Sequence, residues 1–119
     1  MPEVTHPIDG QVLLLAGAKA SVPLERLSTL IERVQRHLGP RADEYDRRYE
    51  CVHEADGVRA YLVDPGHWRS VGDDLDLNDR ETDALERTHA EQLRRIGKAI
   101  DRKAEFETAL EIREVVVLA

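Results

Sequence analysis

The chain has a single cysteine, Cys51, so it can form no intramolecular disulfide and contains no Cys-x-x-Cys pair for zinc or redox chemistry. Aromatic residues are scarce, at 4%, and include only one tryptophan and one phenylalanine. Lysine is scarcer still: Lys19, Lys98 and Lys103 are the only three, and every other positive side chain is an arginine. The longest apolar run, Val12 to Ala18, falls well short of the roughly 20 residues that cross a bilayer. The amino terminus, Met1-Pro2-Glu3-Val4-Thr5-His6-Pro7, is acidic and proline-punctuated and lacks the basic segment of a secretory signal, which predicts a cytoplasmic protein with no membrane contact. A Gly-rich phosphate loop, a nucleotide fingerprint and a Ser/His/Asp set are all missing, leaving nucleophilic catalysis without support.

What remains is the composition of a folded domain. Hydrophobic residues make up 41% and charged residues 34% of 119 residues, enough for one core and one domain spanning 1–119, with residues 1–8 expected as a flexible leading segment. Seventeen basic residues face 24 acidic ones, a net charge of −7 that repels a phosphate backbone and argues against nucleic acid as a partner. Acid excess with few lysines suits a salt-rich cytosol, where carboxylates hold water while salt shortens the Debye length to about 3 Å at 1 M. A GC-rich genome also favours arginine over lysine.

Hydrophobic periodicity divides the chain into helices and strands. Asp9 caps a helix over Gln11–Ala20. Leu24, Leu27, Ile31, Val34 and Leu38 recur at helical spacing over Pro23–Leu38, with Gly39-Pro40 expected to stop that helix by a left-handed turn. From Tyr45 to Val63 the period shortens to two around Asp56-Gly57, predicting a β-hairpin whose first arm also fits a helix, since Tyr45, Tyr49 and Val52 share a helical face. Asp64-Pro65 reads as the cap and first position of a short helix bearing Trp68, Val71 and Leu75, weakened by Gly72. Asn78 and Glu81 form a capping box for a long helix striped by Leu85, His89, Leu93, Ile96 and Ile100. Alternation from Leu110 to Leu118 predicts a final strand. These elements imply an α+β fold, with helices packed on one face of a small antiparallel sheet made of the hairpin and the carboxyl-terminal strand.

Four patterns invite a functional reading. His53, His67 and His89 lie on different elements and, with Cys51 expected beside His53 on one strand face, could together hold a divalent transition metal such as zinc, nickel or iron. Their spacing matches no metal motif, so core and hydrogen-bonding roles account for them better than a metal site does and no cofactor is expected. Asp74, Asp76 and Asn78 alternate as in a calcium loop, but Asp79 and Leu85 stand where that loop needs glycine and glutamate. The helix pair around Asn78, bearing Arg80, Arg87, Arg94 and Arg95, outlines a helix-turn-helix, yet acidic residues interleave along it. Gly66-His67-Trp68 sits on a loop beside the sheet, making His67 and Trp68 candidates for lining a ligand pocket, whereas an anchoring role for Trp68 explains the same placement.

Ile8-Asp9-Gly10, Gly66-His67-Trp68 and Leu110-Glu111-Ile112-Arg113, with the acidic composition, make the chain similar to small uncharacterised proteins of halophilic archaea, a domain of unknown function. The resemblance implies an archaeal cytosol and no particular mechanism. The chain is therefore expected to be a non-enzymatic binding or protein-interaction domain. A homodimer is expected, because Val115-Val116-Val117-Leu118 at an exposed sheet edge needs pairing or cover. A small metal- or ligand-dependent enzyme, with a site around His53, His67, Trp68 and His89, is the alternative, and a subunit of a larger complex is a third reading.

Overall fold

The computed structural model describes residues 7–119. Helix α1 covers Gly10–Ala20, and the Asp9 carboxylate accepts the Gln11 amide at its start. Val12, Leu13, Ala16 and Gly17 face inward, and the helix ends at Ser21 in the left-handed region. Helix α2, Leu24–Leu38, buries Leu27, Leu30, Ile31, Val34 and Leu38, so Leu30 takes the inward place expected of Leu24, which is 44% exposed.

The left-handed stop expected at Gly39 does not occur. Gly39 is right-handed, and the chain continues through a 3-10 turn, Gly39–Arg41, into helix α3, Ala42–Arg48. Pro40 lies in the first turn of this new segment, where a missing N–H costs nothing. Both readings of the next stretch are thus partly realised, with Tyr45 on a helix and the strand β1 starting only at Glu50 and ending at Ala55. Asp56 and Gly57 both have positive φ, as the tight turn to β2, Val58–Val63, demands.

Helix α4 spans His67–Asp74, two residues later than Asp64-Pro65 suggested, because Gly66 occupies the cap with φ 91° and has no side chain to bond the first turn. Glu114, from the far end of the chain, does so instead: its carboxylate accepts the amides of Gly66 (2.6 Å) and Trp68 (2.9 Å). Gly72 is a packing requirement rather than a weakness, since a Cβ there would lie 2.3 Å from Thr82 Oγ1 on the next helix. That helix, α5, runs Asp79–Ala99 behind the Asn78–Glu81 capping box, with Leu85, His89 and Leu93 buried and Ile100 past its end and 41% exposed. Residues 110–113 are not strand. Asp101, left-handed at φ 60°, turns the chain into helix α6, Lys103–Leu110, which buries Phe106, and β3 begins only at Glu114 and ends at Leu118.

The three strands form one antiparallel sheet in the order β1-β2-β3, the expected α+β architecture. Ala60 to Val63 and Val115 to Leu118 are all buried, so both faces of the β2–β3 half are covered; α5 packs against β3, and Tyr45 of α3 lies 5.6 Å from the Tyr61 ring. The outer edge of β3 is not open for strand pairing, contrary to the basis of the homodimer expectation. Trp68 Nε1 donates to Val115 O (2.9 Å), and the Val117 amide donates to His89 Nδ1 (2.9 Å). Gln35 completes the row, donating to Val117 O (2.9 Å) and accepting from the Ala119 amide (3.1 Å). Side chains from α2, α4 and α5 thereby satisfy backbone groups that a partner strand would otherwise seek.

Candidate functional site

The five residues singled out from the sequence do not assemble into one centre. A β-bulge between Cys51 and His53 pairs Cys51 with Tyr61 and His53 with Ala60. Those partners are consecutive on β2 and face opposite ways, so Cys51 and His53 lie on opposite faces of the sheet, not the same one. His89 is fully buried within α5, its ring 4.5 Å from that of Trp68. Because the Val117 amide donates to Nδ1, that nitrogen carries no proton. Among the described residues there is no group of three or more His, Cys, Asp and Glu side chains positioned for a metal ion.

His67 and Trp68 are neighbours in sequence with different surroundings. Trp68 is fully buried and anchors α4 to β3 through its indole N–H, the anchoring role rather than a pocket wall. His67 shares a 2.6 Å hydrogen bond with the Tyr45 hydroxyl and meets the rings of Tyr45 and Tyr49 edge-on. Burial pushes the His67 pKa below its ordinary value, against a weaker upward pull from Glu114, and burial also raises that of Tyr45. Both groups are therefore neutral at pH 7. Close by, Tyr61 donates to Asp46 (2.5 Å), and its pKa is pushed up to about 12, by burial first and by this bond second. Arg59 bridges Asp46 and Glu54 at the sheet's exposed end. This is a structural polar cluster that closes the hairpin onto α3 and α4.

Part of the segments read as calcium and DNA-binding candidates is taken up by contacts within the fold. Asp74 pairs with His37 (3.5 Å) and Asp76 makes a left-handed turn. Arg94 pairs with Glu91 and Glu107, and Arg95 with Asp9.

Two surface features escaped the sequence reading because each is assembled from more than one element. One is an open apolar trough between α1 and the start of α2, floored by Leu13, Leu14 and Leu24 and rimmed by Asp9, Gln11, Glu25, Ser28 and Thr29. Helix α1 signalled it, since its apolar residues run all round, leaving Leu14 57% and Leu15 60% exposed opposite the buried face. The other is a charged groove of about 580 Å³ where the end of α1, α4, α5 and the start of β3 meet. It holds Lys19, Arg69, Arg80 and Arg87 together with Asp73, Asp79, Asp83, Glu86 and Glu114. Half-buried Glu86 has its pKa raised, chiefly by burial and then by Glu114 and Asp83.

The fold thus defines an α+β domain whose polar clusters are mostly consumed in holding helices to a short sheet. The chain belongs to the family described as Domain of unknown function (DUF8048), whose model matches residues 6–119. No curated protein matches it, and no solved structure does. No helix among the described residues is long and apolar enough to cross a membrane.

Proposed function

We propose that the chain is a non-enzymatic protein-interaction domain that docks an amphipathic helix of a partner protein in the trough between α1 and α2. The observation that carries this reading is the exposure of Leu14 and Leu24, on helices whose opposite faces already fill the core. Apolar side chains gathered in one concavity lower their free energy by burial, at about 25 cal/mol per Å² removed from water. Charge selects the occupant. Of the two acids around the trough, Asp9 is neutralised by Arg95 at 3.1 Å and Glu25 has no ion pair among the described residues, so the complement is a helix with an apolar ridge and a basic flank toward Glu25. A second copy of this chain would bring its own Glu25 to the contact, which favours a different partner. The acid excess and the scarcity of lysine support a salt-rich cytoplasm such as that of a halophilic archaeon. There salt screens the charged flanks, so the apolar ridge supplies most of the affinity and the charges act only at close contact.

The test is a titration of isotope-labelled protein with two helical peptides sharing a leucine ridge, one flanked by arginines and one by glutamates. The basic peptide should shift the amides of Leu13, Leu14, Leu24, Ser28 and Thr29, and the acidic one should bind more weakly. Binding of neither peptide, or concentration-dependent self-association that protects Leu14, would overturn the proposal.

A further inference from the structure

Helix α3 is held to the rest of the molecule by few side chains. Its seven residues, Ala42–Arg48, bury only Tyr45, and a helix this short has no stability of its own. The Tyr45 hydroxyl meets His67 Nε2 at 2.6 Å, and the His67 ring stands edge-on to Tyr45 and Tyr49 with centroids 5.6 and 5.5 Å apart. The second hold is Asp46, whose carboxylate accepts the Tyr61 hydroxyl (2.5 Å) and the Arg59 guanidinium (2.9 Å). Tyr45 and Asp46 thus pin α3 beside the Tyr61 ring, which is fully buried.

We propose that the Tyr45–His67 bond is a proton-operated latch: neutral His67 accepts the Tyr45 hydroxyl at Nε2 and holds α3 closed, and protonated His67 lets α3 open while the rest of the fold stays intact. A protonated imidazole carries donors at both nitrogens and no acceptor. Nε2 then points a proton at the Tyr45 hydroxyl, which has to turn its own proton away, and a charge stands where burial disfavours one. Burial outweighs the carboxylates that favour the cation, namely Glu114 of β3, already engaged by the amides of Gly66 and Trp68, Asp64 ahead of α4 and Asp74 at its end, while Arg48 of α3 opposes it. Opening returns the ring to water, where it binds a proton more readily. The open fraction therefore grows as the pH falls below the ordinary imidazole value of 6.5, by at most about tenfold per pH unit because one proton is taken up. What remains is the exposed Asp46 contact, and opening bares the rings of Tyr45, Tyr49 and Tyr61 beside the hairpin.

Backbone amide exchange at about pH 7.5 and pH 5, corrected for the intrinsic effect of pH, reads the opening directly. The amides of Asp46 to Tyr49 should open at least about fivefold more often at the lower pH, and there at least about tenfold more often than those of Leu85 to Leu93 in α5. Equal opening of the two segments at the lower pH would mean that α3 leaves only with the whole fold and would overturn the proposal, as would α3 opening that does not change with pH. His67→Gln offers the Tyr45 hydroxyl an acceptor that takes up no proton, so its α3 amides should open equally often at both pH values, and a pH dependence like the parent's would refute the role of His67. Tyr45→Phe keeps the ring without the bond and should raise α3 opening about fivefold or more at pH 7.5. Parent-like protection in that variant would show that the bond holds nothing. In the parent protein itself, the His67 ring resonances and the α3 amide shifts should titrate with one midpoint, and midpoints more than about half a pH unit apart would overturn the latch whatever fold the variants keep.

Discussion

Replacing Trp68 with phenylalanine isolates the contact by which α4 holds the outer edge of the sheet. The indole is fully buried and its N–H is the donor to the Val115 carbonyl at 2.9 Å. Phenylalanine keeps most of the apolar bulk but leaves that carbonyl without its donor, a cost of about 1–3 kcal/mol. The smaller ring also leaves a void beside His89, adding roughly 1–2 kcal/mol. The sum, about 2–5 kcal/mol, corresponds to a fall in Tm of about 8–20 °C for a domain of this size. Thermal unfolding followed by circular dichroism reads it directly. A fall of less than about 3 °C, with an unchanged denaturant m-value, would refute the argument that the Trp68 bond seals β3.

Other consequences follow from single side chains. His67 binds a proton less readily in the folded state than its ordinary value of 6.5, so its contribution to stability is complete above about pH 6.5 and declines as the pH falls below it. Urea midpoints measured between pH 7.5 and 5 should show this decline, and it should shrink in His67→Gln. Gly72→Ala drives a methyl group against Thr82 and should cost about 1–3 kcal/mol, which Thr82→Ser should not relieve, because the 2.3 Å approach is to the oxygen that serine keeps, whereas Thr82→Ala should. Asn78→Ala removes the acceptor for the Glu81 amide and should destabilise by about 1 kcal/mol in denaturant unfolding.

Local chemistry made much of this fold legible in the sequence. The capping box at Asn78, the Asp9 cap and the Asp56-Gly57 turn act within a few residues, and each occurs where its residues predict it. Tertiary contacts decided the rest. Gly39-Pro40 reads as a terminator in isolation, but proline is tolerated in a first turn and the chain simply starts another helix. Alternation over Leu110–Leu118 concealed the join between α6 and a strand half as long, because Leu110 at the helix end and Ile112 in the exposed turn after it continue the two-residue spacing of the strand by coincidence. The helix α4 cap was unreadable locally, since its carboxylate comes from Glu114, 46 residues from Trp68. The histidines illustrate the same limit for function. A bulge of one residue separates Cys51 from His53, and His89 is spent on a backbone amide of β3, neither of which leaves a periodic trace. The trough and the groove each require segments from different helices, and only the all-round apolar surface of α1 announced one of them.

The most direct test of the interaction reading is a comparison of Leu14→Asp with the parent protein for binding of the arginine-flanked helical peptide. Leu14 is 57% exposed and makes no part of the core, so the variant should keep its Tm within about 2 °C while losing binding by tenfold or more. Unchanged affinity in a folded Leu14→Asp protein would contradict the assignment of the trough as the docking surface.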